Sequence, residues 1–166
     1  MPKPDEPCNS QPRHVIEFRG NNGHSVTLEL RAIPMELGNV NQFTEYLVRF
    51  SGGDPDCRVA AEEIFWDYLG LTGLAERLRL LCEGKTESLE MGYQHFKLEV
   101  LVRRELVRPR FWIRGHLGPQ SYPDPPAWMV QFDFEWCPVD AQGPVHDTLR
   151  QVEGLLAFAL GLGYPY

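Results

Sequence analysis

The stretch RPRFWIRGHLG, Arg108 to Gly118, alternates residue by residue between two kinds of side chain. Side chains of a β-strand point to opposite faces in turn. Phe111, Ile113, Gly115 and Leu117 therefore share one face, and Arg110, Trp112, Arg114 and His116 share the other. The first face has the composition of a core. The second sets a large aromatic between two arginines and ends in a histidine.

Working outward, Trp128 to Cys137 keeps the same period, with Phe132, Phe134 and Trp136 on one side and Gln131, Asp133 and Glu135 on the other. Upstream, Ser88 to Arg103 reads as a strand bent at Gly92. Side by side, these runs bring Arg110, Trp112, Arg114 and His116 near Asp133 and Glu135, with Lys97, Glu99 and Leu101 extending the face. Cross-strand arginine–carboxylate pairs would satisfy the charges, and an arginine could cover Trp112. Three readings of this face stay open. It is a self-satisfied sheet surface, a recognition surface rich in the Trp and Arg that dominate binding hot spots, or a face buried beneath the final helix.

The first half is also strand-rich. His14 to Arg19 and Ser25 to Ala32 flank the turn GNNG, Gly20 to Gly23, which suits a hairpin. Phe43 to Ser51 gives a third strand and SGGDPD, Ser51 to Asp56, a turn. Arg58 to Phe65 reads as a strand or as the start of a helix. From Leu71 the period changes: Leu71, Leu74, Leu78 and Leu81 recur at three and four, predicting an amphipathic helix with Thr72 as N-cap and Gly84 as its stop. Pro144 suits the first turn of a second helix striped by Val145, Leu149, Val152, Leu156 and Ala159. The order strands, helix, strands, helix predicts an α+β fold with a largely antiparallel sheet. Residues 13–166 read as a single domain without internal repeats, preceded by a disordered lead-in over residues 1–12.

At 166 residues with 43% hydrophobic side chains, the chain is long enough to bury a sizeable core. A net charge of −7 argues against non-specific nucleic-acid binding and is compatible with a basic protein partner. The longest apolar run, within GLLAFALGLG, is too short to span a bilayer, and the N-terminus lacks a signal peptide's apolar stretch, so the expected location is cytoplasmic. The four cysteines form no CxxC and the five histidines no ligand spacing, so neither a metal site nor a disulfide framework is expected.

Reactive motifs are absent too. There is no GxSxG; GNNG joins two strands, and SGGDPD has no following Gly-Lys-Ser/Thr, so neither reads as a phosphate cradle. Asp133 and Glu135 share a strand face and could act as acid and base if their environments drove their pKa values apart; they could equally be the charged half of an amphipathic strand. Glu62, Glu63 and Asp67 bracket Phe65, Trp66 and Tyr68. That mixture fits a protein-binding edge, or a core pair beside solvated acids.

From Glu62 to Leu160 run a leucine-patterned helix, a Ser-Leu-Glu start to a strand (TESLE, Thr86 to Glu90), the alternating FWIRGHL, a Trp-led strand (WMVQFDFEW) and a closing helix. This layout resembles a bacterial family grouped with WapI-like immunity proteins of polymorphic toxin systems. The resemblance implies a binding role, in which the protein sits beside a toxin gene and blocks the cognate toxin in the producing cell. It carries over no catalytic residue and no cofactor.

The expected function is therefore that of an immunity protein that binds a toxin domain directly. Its expected partner-binding residues are Arg110, Trp112, Arg114, His116, Asp133, Glu135, Glu62, Glu63, Trp66 and Asp67. The rival expectation is a small enzyme or ligand-binding domain, with His116, Asp133 and Glu135 in a cleft between sheet and final helix. A third is a homodimer formed through an exposed sheet face or an edge strand.

Overall fold

A computed structural model of the protein describes residues 14–32, 44–54, 56–67, 70–105, 107–119, 127–137 and 143–161. The proposed lead-in, the Gln120–Pro126 part of the proline-rich loop and the terminal tyrosines lie outside them. Four strands, β1 (Val15–Arg19), β2 (Ser25–Ala32), β3 (Thr44–Asp54) and β4 (Cys57–Asp67), lead into helix α1 (Gly70–Cys82). Four more, β5 (Ser88–Tyr93), β6 (Phe96–Arg104), β7 (Pro109–Leu117) and β8 (Val130–Glu135), lead into α2 (Pro144–Gly161). Each set of four is an antiparallel sheet in chain order. The fold is α+β with strands, helix, strands, helix, but the strands make two sheets. The order of elements also repeats, although the two halves share no visible sequence pattern.

Several boundaries move, each for a local reason. Arg58 to Phe65 belongs to a strand, in register with β3 from Asp54↔Cys57 to Thr44↔Asp67. Ser51 to Asp54 continues β3 rather than turning, leaving only the end of SGGDPD for the reversal. Ser88 to Arg103 is two strands and not one. Gly92 and Gln94 both take positive φ, and Tyr93 pairs with Phe96 across a two-residue turn. Thr72 is not an N-cap, because α1 begins at Gly70 and the Thr72 hydroxyl is buried inside the first turn with no hydrogen-bond partner among the described residues. Gly84 does end the helix region: its φ is +67°, and the N–H of Lys85 reaches back to the Leu80 carbonyl at 2.9 Å.

The alternation of each strand decides what is buried. Ile16, Phe18, Val26, Leu28, Tyr46, Val48, Phe50 and Phe65 line the inner face of the first sheet, and Leu98, Val100, Ile113, Leu117, Phe132 and Phe134 that of the second. The two faces meet through rings, Phe50 on Phe132 at 5.3 Å and Phe65 edge-on to Phe96 at 4.7 Å between centroids. Leu71, Leu74, Leu78 and Leu81 of α1 and Val145, Leu149, Val152 and Leu156 of α2 join the same cluster. The helices pack on each other, α2 beside edge strand β1 and α1 beside edge strand β5.

Two devices close the β1 edge. Near its middle, Gln151 of α2 accepts the Glu17 N–H at 2.7 Å and the Thr148 hydroxyl donates to the Glu17 carbonyl at 3.0 Å. At its end, Gly20 bridges Trp136 just after β8, and the Cys137 N–H donates to the Arg19 carbonyl at 2.8 Å. The first and second sheets are thereby joined at this edge.

Candidate partner-binding face

Pairing of β7 with both neighbours builds the outer face of the second sheet. Leu101, Trp112 and Glu135 lie in one row, Glu99, Arg114 and Asp133 in the next, and Lys97, His116 and Gln131 in the third. The six residues expected on this strip, Arg110, Trp112, Arg114, His116, Asp133 and Glu135, are thus brought together. The final helix does not cover them, since α2 lies along α1 and β1.

Most of the charge is paired within the face. Arg110 grips Glu135 with two parallel bonds, one from Nε at 2.6 Å and one from Nη2, and also donates to Glu105 at 3.0 Å. This fork holds the Glu135 carboxyl below its ordinary range, against an opposing effect of burial, and raises the Arg110 guanidinium further. Glu135 is held as a carboxylate, which is the wrong state for a general acid. Arg114 donates to Glu99 at 2.8 Å and not to Asp133, its register partner across β8. Asp133 stands exposed, and its charge adds through space to the rise of the Arg114 guanidinium. His116 gives its ring N–H to the Gln94 carbonyl at 2.5 Å, pinning the β5–β6 turn.

Trp112 is covered by an arginine from the neighbouring strand. The guanidinium of Arg103, diagonal to it on β6, sits 4.3 Å from the ring centroid. The indole N–H is buried and has no acceptor among the described residues. Arg103 was not legible as a site residue, because its place over Trp112 follows from the β6–β7 register and not from its own surroundings in the chain. Further along the face, a shallow depression of about 380 Å³ is lined by Lys97, Glu99, Arg114, His116, Gln131 and Asp133.

The second acidic set is elsewhere, on β4 of the first sheet, and it divides. Glu62 is exposed and takes Arg49 at 2.5 Å, which also bonds Glu29. Glu63 shares the inner parity of Phe65, and its carboxylate accepts the N–H of Ile64 at 3.1 Å. Trp66 and Asp67 stand opposite Glu45 and Thr44 in the register; their side chains are outside the described residues.

The groove between sheet and final helix has a different lining from the one expected. A cavity of about 510 Å³ lies between the end of α1, the start of α2 and the β6–β7 hairpin, lined by Leu81, Val102, Phe111, Val145, Arg104 and His146 among others. His116, Asp133 and Glu135 do not reach it. Among the described residues no His, Cys, Asp and Glu cluster could hold a metal ion, and no helix is long and apolar enough to cross a membrane. Cys57 is exposed, and burial raises the thiols of Cys82 and Cys137. Compared with protein-family models, curated proteins and solved structures, the chain has no match.

Proposed function

We propose that the protein is a cytoplasmic immunity protein, neutralising a toxin domain by direct contact through the outer face of its second sheet. The observation that carries this reading is Trp112. A large aromatic on a sheet face that α2 leaves open, capped by Arg103 and carrying an indole N–H without an acceptor among the described residues, has the make-up of a binding anchor. A partner carboxylate or carbonyl that drew Arg103 aside would gain that N–H. The arginine–glutamate pairs around it form a polar rim held in place before contact, which lowers the ordering cost of association. Exposed Asp133 and an overall acidic chain favour a basic partner and a fast on-rate.

The test is co-expression with the toxin domain encoded beside the gene, scoring growth and recovery of a stoichiometric complex. Wild type is expected to rescue growth. Trp112→Ala, and separately the double variant Asp133→Lys with Gln131→Lys, should each weaken the complex at least tenfold while the far-UV circular dichroism is kept. Failure of wild type to bind the toxin, or full affinity in both variants, would overturn the reading.

A further inference from the structure

The outer edge of β4 is the open edge of the first sheet, and the residues at its start carry their own instructions for closing it. No described strand pairs with it, and Asp56 to Ala60 are all exposed, including Val59 at 40%. The backbone groups that face this edge can be identified at Ile64. Its N–H goes to the Glu63 carboxylate, and the His95 imidazole takes the Ile64 backbone as partner, so neither group serves the ladder with β3. In an antiparallel strand the N–H and C=O of one residue point the same way, and that direction alternates. Arg58, Ala60 and Glu62 therefore also aim their N–H and C=O outward. The edge is stopped at Ile64 and open over those three residues.

We infer that β4 pairs with the β4 of a second copy of this chain, about a two-fold axis at Ala60, joining the two first sheets into one. In this register Ala60 meets Ala60, and Arg58 of each copy meets Glu62 of the other. Opposed residues have the same parity, so outward side chains stay outward and the dyad is compatible with a continuous sheet. The N–H and C=O groups of all three residues find partners. The small Ala60 side chains leave the dyad uncrowded, and each Arg58 comes opposite a carboxylate, a favourable cross-strand pair. A register moved by one residue would place Arg58 against Glu63, of opposite parity, and one moved by two would set Arg58 against Ile64 or Ala60 and so lose its carboxylate. Beyond the three residues, Glu63 and His95 block further zippering, so pairing ends after one match. This inference is independent of toxin binding, which uses the other sheet.

Sedimentation velocity of the full chain over a range of concentrations, with circular dichroism as the folding control, tests it. Wild type should show a reversible dimer. Arg58→Glu alone should weaken dimerisation at least tenfold, and adding Glu62→Arg should restore it. In a Cys57→Ser background, Ala60→Cys should form an intermolecular disulfide under mild oxidation, because a hydrogen-bonded antiparallel pair holds its Cα atoms about 5.5 Å apart. A chain that stays monomeric at all concentrations overturns the inference. So does a dimer that Arg58→Glu leaves intact and Ala60→Cys does not cross-link.

Discussion

A methyl group added at Gly115 would lie 1.8 Å from the Lys97 carbonyl oxygen and 2.9 Å from the edge of the Phe132 ring. Gly115 sits mid-strand with Leu98 and Phe132 as its register partners, so the absent side chain leaves room for the ring across the strand. Gly115→Ala should cost about 2–3 kcal/mol by overpacking, read as a lower urea midpoint at unchanged slope. His95 offers a second test at this scale. Burial lowers its pKa against the pull of Glu63, and His116 lowers it further. A His whose folded pKa lies below the unfolded value of about 6.5 supports folding above that value and loses the contribution as pH falls toward the folded one. His95→Gln should therefore flatten the drop in urea midpoint between pH 7.5 and 5.5; equal drops in both proteins would refute it. The strip from Arg110 to His116 was legible in the chain because a strand's alternation needs no partner to be read. The fate of its members was not. That His116 holds a turn and Glu135 is locked by Arg110 follows from register, which only the folded sheet supplies.

Among the elements, β2 matches its sequence reading residue for residue, because Val26 and Leu28 alternate cleanly with polar neighbours and a glycine turn precedes them. The β5–β6 hairpin escaped notice for the opposite reason. Its turn is Gln94 and His95, neither a usual turn former, and its mark in the chain is a one-residue slip of the alternation, from Leu89 and Met91 to Phe96, Leu98 and Val100. Glu62 and Glu63 were grouped by adjacency and are separated by the pleat. Edge protection is likewise a property of paired elements. Gln151 supplies the acceptor for the Glu17 N–H of β1. Gln151→Leu leaves that donor unpaired beside the helix and should cost about 1–3 kcal/mol, with the fastest gain in amide exchange at Glu17.

For the whole molecule, the repeated order of four strands and a helix places most pairing between neighbours in the chain. Each meander is nonetheless incomplete alone, since Phe18, Phe50 and Phe65 are covered by rings and helices from the other half. A fragment of residues 1–86 should therefore lack a cooperative thermal transition, whereas an autonomous half would show one by calorimetry. The repeat stayed hidden because each half meets different neighbours: α2 turns Gln151 and Thr148 to edge strand β1, whereas among the described residues no such bond joins α1 to edge strand β5.

The junction of Gly20 with Trp136 has a consequence for synthesis. One side of it leaves the ribosome long before the other, with 136 − 20 = 116 residues still to be added. At typical elongation rates of 5–20 residues per second that interval is roughly 6–23 s. In the part of it that follows synthesis of Asp67, the first sheet is complete but its aromatic face lacks rings of the second sheet to lie against. Translation speed across the second half thus sets how long each nascent chain remains adhesive, and slowing it should lower the soluble yield without altering the finished protein.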